Sequence, residues 1–249
     1  MLRMRSMTAL ADLEQEIRPR HAAGASPKAI ARALGVRPAA VIPIVRRAAC
    51  EREAAKAQAV YELKVTLEGA DPPIWRRFRV PCQITLADLH LVVQAAMGWE
   101  NDHLYEFEVA KRRIGEPSRD DDDRREDAGR IQLRDVAALN GARMTYLYDF
   151  GDNWQHALIV EKTACSDAEP GRAVCIAGER ACPPEDCGGI WGYAELLDAL
   201  DDPANPDLEE RVEWLEEVHG AFDPEQFEVD AINVLLDHLK LLRPNGPIR

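Results

Sequence analysis

No apolar run in this 249-residue chain is long enough to span a bilayer, and the arginine-bearing N-terminus lacks the apolar stretch of a secretory leader. A cytoplasmic protein without a membrane partner is therefore expected. Internal repeats are absent, which excludes a repeat architecture. Paired Cys-x-x-Cys knuckles are absent too, so the commonest zinc-finger spacing is excluded. Cysteines in a reducing compartment form few disulfides, and the six present read first as packing, metal ligands or catalytic groups. Cations are in deficit, with 31 Lys and Arg against 44 Asp and Glu. What is there is a 46% hydrophobic fraction, sufficient for a core, and a length that suits one domain with a smaller attachment.

The cation deficit is local. Residues 1–59 carry a net charge of +6 and the remainder a net of −19. Such asymmetry predicts different partners: a basic head can meet a phosphate backbone, whereas an acidic body repels one and suits a protein or small ligand. Within the head, Leu10, Leu13 and Ile17 recur at helical spacing over 8–18. Ser26-Pro27 reads as an N-cap and first helical residue, and Gly35 as a left-handed stop. A third helix follows from Arg37-Pro38, with Val41 and Val45 inward. Ile30, Ala31, Leu34, Gly35, Val36, Val41 and Val45 resemble the helix-turn-helix pattern. Arg37, Arg46 and Arg47 are the candidate nucleic-acid contacts, because Ala39, Ala40 and Pro43 cannot read base edges. Pro43 also interrupts the third helix, so a small protein-docking module is the alternative. An Ala/Glu/Lys/Arg-rich linker helix over 48–59 should close this all-helical module.

From Tyr61 the period becomes two. Tyr61, Leu63, Val65 and Leu67 predict a half-buried strand, 69–73 a turn, and 74–81 the return strand. Thr85 and Asp88 open a helix burying Leu86, Leu89, Val92, Val93 and Ala96, which ends at Gly98. Tyr105, Phe107 and Val109 form the next strand. Residues 111–130, with the run Asp120–Asp123, read as a solvated mobile loop. Met144, Tyr146, Tyr148 and Phe150 alternate inward before a turn at 151–153, and His156, Leu158 and Val160 alternate back. Three helices are expected to close the chain, over 193–200, over 207–218, and through Val229, Ile232, Leu236 and Leu239.

The chemistry concentrates in two stretches. One is Tyr148 to His156; the other runs from Cys175 to Tyr193, where three cysteines, two adjacent prolines and several glycines predict an irregular loop. Cys175, Cys182, Cys187 and His156 could supply the four ligands of a tetrahedral zinc, with Cys165 as a substitute and Cys50 and Cys82 structural. The competing reading is buried thiols with a hydrogen-bonded histidine. Tyr148, Asp149, Asp152, Trp154, Glu185, Asp186, Trp191 and Tyr193 complete a candidate pocket, and Glu161 adds a carboxylate for acid–base work. Asp149 and Asp152 flank a glycine turn, where aspartate is also the ordinary turn former.

Taken together, Pro73-Ile74-Trp75-Arg76, Tyr148-Asp149-Phe150-Gly151-Asp152 with Trp154 and His156, Cys182-Pro183-Pro184-Glu185-Asp186-Cys187-Gly188-Gly189 with Gly192-Tyr193, and Phe222-Asp223-Pro224 resemble the plasmid pRiA ORF-three-like family over about residues 60–240. The resemblance implies an α+β fold: a β-grasp, ubiquitin-like sheet with one main packing helix and C-terminal helices, preceded here by the small helical module. It implies a link to plasmids or mobile elements and no assigned reaction. No serine or tyrosine sits in a recombinase-like context. The expected function is a non-enzymatic binding or regulatory protein, DNA-associated through residues 1–59. The alternative is a zinc-dependent, hydrolase-like enzyme built on His156, the cysteines and the carboxylates.

Overall fold

Apolar residues at helical spacing need a partner face, and in the head three helices supply it to one another. The computed structural model describes residues 3–57, 59–117, 125–137, 140–165, 172–202, 204–220 and 222–239. It divides into two compact units, residues 1–57 and 58–249. The first contains α1 (Arg3–Ala22), α2 (Pro27–Ala33) and α3 (Pro38–Ala57). Ile17, Ile30, Ala31, Val41, Ile44 and Val45 form its core, with Leu13, Leu34 and Val36 at the margin. Ser26 Oγ accepts from the Ala29 N–H at 3.2 Å, capping α2, and Gly35 takes the left-handed φ of +66° that reverses the chain. Pro43 does not break the third helix: α3 runs continuously from Pro38 through the expected linker to Ala57.

The second unit is built on one eight-stranded sheet. Its strands are β1 (Ala59–Leu67), β2 (Trp75–Pro81), β3 (Tyr105–Val109), β4 (Arg112–Gly115), β5 (Glu126–Asp127), β6 (Arg143–Tyr148), β7 (Trp154–Cys165) and β8 (Val174–Glu179). They lie in the order β5-β4-β3-β6-β7-β1-β2-β8, every neighbouring pair antiparallel except β4 with β5. The helices are α4 (Leu86–Met97), α5 (Leu133–Val136), α6 (Gly189–Asp201), α7 (Leu208–Val218) and α8 (Val229–His238). Period-two burial on β1 sends Tyr61, Leu63, Val65 and Leu67 inward, where they join Leu86, Leu89, Val92 and Val93 of α4 in one core. Thr85 caps α4: its Oγ1 accepts from the Asp88 N–H at 3.0 Å and donates to the Asp88 carboxylate at 2.8 Å. This is a mixed α+β architecture of eight strands, three more than the five read from the sequence.

Three local expectations change. The stretch 111–130 is not wholly a loop, since it supplies β4 and β5, fastened by a two-point ion pair of Arg112 with Glu126 (2.8 and 2.9 Å) and by fully buried Ile114. The Asp120–Asp123 run lies outside the described residues. Phe150 does not continue the inward face of β6; the strand stops at Tyr148, Asp149 turns left-handed at φ +52°, and Phe150 is 46% exposed. The Cys175–Tyr193 stretch begins as edge strand β8 and ends inside α6, so only its middle is irregular. An edge position tolerates such a short, glycine-containing strand. Asn233 of α8 guards that edge, accepting from the Cys175 N–H (2.8 Å) and donating to the Cys175 carbonyl (2.9 Å) as a neighbouring strand would.

Candidate functional site

The site lies where three connections meet: the segment after α4, the β6–β7 turn, and the irregular loop between β8 and α6. Gly98 ends α4 at φ +80° and frees the next residues to cross the core. Trp99 then stacks on Tyr148 with ring centroids 5.0 Å apart and meets the His156 ring edge-on at 5.4 Å. Its indole N–H donates to the Pro183 carbonyl at 2.9 Å, so Trp99 stands between His156 and the cysteine loop. The Glu100 N–H donates to Glu185 at 2.8 Å, and Asn101 hydrogen-bonds His90 Nε2. His90 Nδ1 meets the Tyr146 hydroxyl at 2.7 Å, which also accepts from Gln94 at 2.9 Å. That chain is satisfied by a neutral His90 with its proton on Nε2, and burial lowers its pKa to about 4.

In the β6–β7 turn, Asp149 and Asn153 both take left-handed φ, +52° and +57°. Asp149 Oδ1 accepts from the Gly151 N–H at 2.8 Å, and the Asn153 N–H donates to the Asp149 carbonyl at 2.7 Å. Aspartate and asparagine tolerate that conformation because their side chains bond the local backbone. The loop from β8 docks on this turn at one side: Asp152 accepts from the Gly188 N–H at 3.2 Å. Glycine is required at 189, where φ is +67° and a Cβ would stand 2.3 Å from the Asp152 carbonyl oxygen.

These devices bring three metal-ligating side chains together. His103, Asp149 and Asp186 each offer one atom within 4.8 Å of the others, the one such cluster among the described residues. His103 Nδ1 is 3.7 Å from Asp149 Oδ1, and its Nε2 is 3.5 Å from Asp186 Oδ1. Asp149 is buried, His103 half-buried, and the Asp186 side chain 73% exposed, so the cluster opens to solvent. Beneath it, Glu185 accepts from the Tyr148 hydroxyl at 2.5 Å; burial first, then that carboxylate, hold the Tyr148 hydroxyl well above its usual range. Tyr148 therefore stays protonated and donates. Leu104 and Phe150 present apolar surface on the first two of the three connections, and Trp191, 82% exposed, does so from the first turn of α6.

The four residues read as zinc ligands are not assembled in this way: no three of Cys175, Cys182, Cys187 and His156 bring ligand atoms within 4.8 Å of one another. Cys175 is on β8, its thiol 3.6 Å from the Ala177 carbonyl. Cys182 packs against Met97 Sδ at 2.8 Å and Arg76 at 3.1 Å, and Cys187 lies 3.9 Å from the Gly189 carbonyl. Burial pushes the Cys182 thiol up to about 11 and that of Cys187 to about 12. His156 is fully buried; its Nδ1 donates to the Trp154 carbonyl at 3.1 Å, Nε2 has no partner, and burial lowers its pKa to about 4. Trp154 is buried beside it, whereas Trp191 and Tyr193 belong to α6. Glu161 is on the opposite face of β7, paired with Arg77 at 2.6 Å. Cys82 is buried; the side chains of Cys50 and Cys165 lie outside the described residues. In the first unit Arg37 and Arg46 are exposed, and Arg47 pairs with Glu14 at 3.0 Å.

Arg76, from the Ile74-Trp75-Arg76 motif, is buried as a tether. Nε donates to the Ala96 carbonyl (3.1 Å), Nη1 to those of Trp75 and Glu179 (2.9 Å each), and Nη2 to that of Arg180 (2.8 Å) and to Cys182 Sγ (3.1 Å). All five guanidinium protons are thereby used. The cation also sits 4.7 Å over Phe227, whose ring fills the space a Cβ at Gly178 would need. A cavity of about 320 Å³ opens beside it, lined by Met97, Cys182, Phe222, Phe227 and Leu235. Arg76 has no donor left to orient a ligand there, whereas the His103 cluster reaches solvent through Asp186.

His103 is the residue the sequence reading passed over. One signal pointed to it: a histidine between a helix stop and a strand, in a chain with six histidines. The described residues contain no helix long and apolar enough to cross a membrane. Among known proteins, the chain is 44% identical over 156 residues to the uncharacterized protein y4hQ of Sinorhizobium fredii (strain NBRC 101917 / NGR234), covering 62% of this chain and 80% of that one. The crystal structure of MM3350, a protein of unknown function from Methanosarcina mazei Go1, aligns with a TM-score of 0.62 at 37% identity, covering 69% of this chain and 96% of that one. Residues 59–231, well over half the chain, match a described family, and the protein belongs to it: the plasmid pRiA4b ORF-3-like proteins.

Proposed function

We propose that this is a two-part binding protein, regulatory rather than catalytic. The second unit carries a ligand site on His103, Asp149 and Asp186, and the basic first unit contacts nucleic-acid phosphates through Arg37 and Arg46. One observation carries this reading. The cysteines of the loop and His156 are withdrawn into the core, while the one convergent set of ligand atoms among the described residues reaches solvent through half-buried His103 and exposed Asp186. Buried thiols held at about 11 and 12 are poor nucleophiles, because the thiolate is what reacts. A buried, neutral His156 cannot reach a substrate.

The α2–turn–α3 arrangement supports a helix-turn-helix-like head. Its exposed Ala39, Ala40 and Pro43 offer no base-reading groups, so the binding is weak and phosphate-driven. Reduced thiols suit a cytoplasmic role linked to plasmids or mobile elements. The β1–β2 hairpin running into α4 supports a β-grasp core extended by further strands. A hydrolase reading keeps one support, the same His103 cluster, as a metal-assisted site.

Fluorescence anisotropy of the full chain on a labelled DNA duplex, at low and moderate salt, tests the first unit. Binding should weaken steeply with salt and fall further in an Arg37→Ala/Arg46→Ala double variant. Salt-insensitive binding, or none at low salt, would refute it. Turnover of phosphate or ester substrates that disappears in His103→Ala would move the reading to an enzyme.

A further inference from the structure

We infer that His103, Asp149 and Asp186 hold a single divalent transition cation of the zinc or manganese class. This rests on the ligand-site reading above and names the ligand. The donor set is the first argument. One imidazole nitrogen and two carboxylate oxygens suit borderline divalent metals, and three protein ligands leave positions for water or a further group. A purely hard ion such as magnesium has no preference for the imidazole.

Spacing is the second argument. The 3.5 and 3.7 Å separations run from opposite ring nitrogens of His103 and exceed the ~2.7–2.9 Å of a charge-assisted N–H···O bond. An ion takes one of those nitrogens, and one donor atom from each residue already lies within 4.8 Å of the others, against the roughly 3.0–3.4 Å between donors bonded at ~2.0–2.2 Å to one ion. The exposed Asp186 side chain can close the remaining gap by rotation, while Asp149 and His103 stay where the turn and the Tyr148 ring hold them.

The third argument is charge and exposure. Asp149 and Asp186 reach one imidazole from two loops, with Asp152 and Glu185 on those same loops, and like charges so placed favour a bound cation. Glu185 is engaged by Tyr148 and Glu100, so it adds negative potential from behind rather than a ligand. Independently of these groups, exposed Leu104 and Phe150, next in sequence to His103 and Asp149, offer the apolar surface expected beside a ligand site.

The test is calorimetric titration of chelator-treated, full-length protein with Zn2+ and with Mn2+, Mg2+ serving as the hard-ion comparison. One ion per chain is expected, with affinity falling at least about tenfold in Asp186→Asn and in His103→Ala and unchanged in Cys182→Ser. Asp186 is exposed, so its variant should fold as the wild type does, checked by thermal unfolding; Asp186→His should restore binding. Wild type that takes up no ion, or binding that survives loss of both His103 and Asp186, overturns the inference. So does binding lost in Cys182→Ser and kept in His103→Ala. A His103-dependent thermal shift of metal-free protein with phosphate or a nucleotide would overturn the cation alone and leave the ligand-site reading standing.

Discussion

His156 should make the protein acid-sensitive in a defined window. The imidazole is fully buried and neutral, and burial lowers its pKa from 6.5 to about 4. Between those values the unfolded chain binds a proton that the folded chain refuses, so stability rises with pH there and is lost as pH falls. Above about pH 6.5 both states are neutral and the residue contributes no slope. A shift from 6.5 to about 4, at 1.36 kcal/mol per unit, corresponds to about 2–3 kcal/mol lost by pH 4–4.5. That is a large part of a typical folding free energy of ~5–15 kcal/mol. His156→Phe removes the titration at similar volume. At pH 7 it costs the hydrogen bond to the Trp154 carbonyl, about 1 kcal/mol, partly offset by removing the unpartnered Nε2. Urea unfolding at pH 7 and pH 4.5 should therefore give a pH-dependent loss about 2–3 kcal/mol smaller in the variant than in wild type. His90 and the carboxylates titrate in both proteins and cancel in that difference. Equal pH dependence in the two would refute the buried, neutral assignment.

Two further outcomes follow from the loop between β8 and α6. Gly189→Ala should lower the melting temperature and expose the 180–188 segment to limited proteolysis. A left-handed non-glycine residue costs of order 1–3 kcal/mol, and its Cβ would also meet the Asp152 carbonyl at 2.3 Å; an unchanged melting curve would contradict that packing. Cys182 and Cys187, buried and pushed up to about 11 and 12, should resist iodoacetamide at neutral pH and react only on unfolding. Rapid labelling of either in folded protein, read by mass spectrometry, would contradict the buried, protonated state.

Much of the architecture was legible because it obeys local rules. Period-two burial marks β1, and the Thr85 cap with the left-handed Gly98 bounds α4 to the residue. Ser26 and Gly35 frame α2 in the same way. Local rules fail where a long-range partner decides. The residues of β8 alternate poorly and include Gly178; they form a strand because β2 offers an edge and Asn233 closes the other side. Ile114 makes β4 a strand by reaching the core from a polar stretch. The site shows the same division. Aspartates beside glycines in a turn, and a Pro/Gly-rich cysteine loop, announce themselves in the residue types. Which side chains meet does not, because His103, Asp149 and Asp186 lie on three separate connections and converge only once the sheet has brought those connections together. Arg76 is the clearest case: any sequence reading leaves it a surface charge. Only the fold gathers carbonyls from α4, from its own strand and from the end of β8 around its guanidinium, and so makes a buried tether of it.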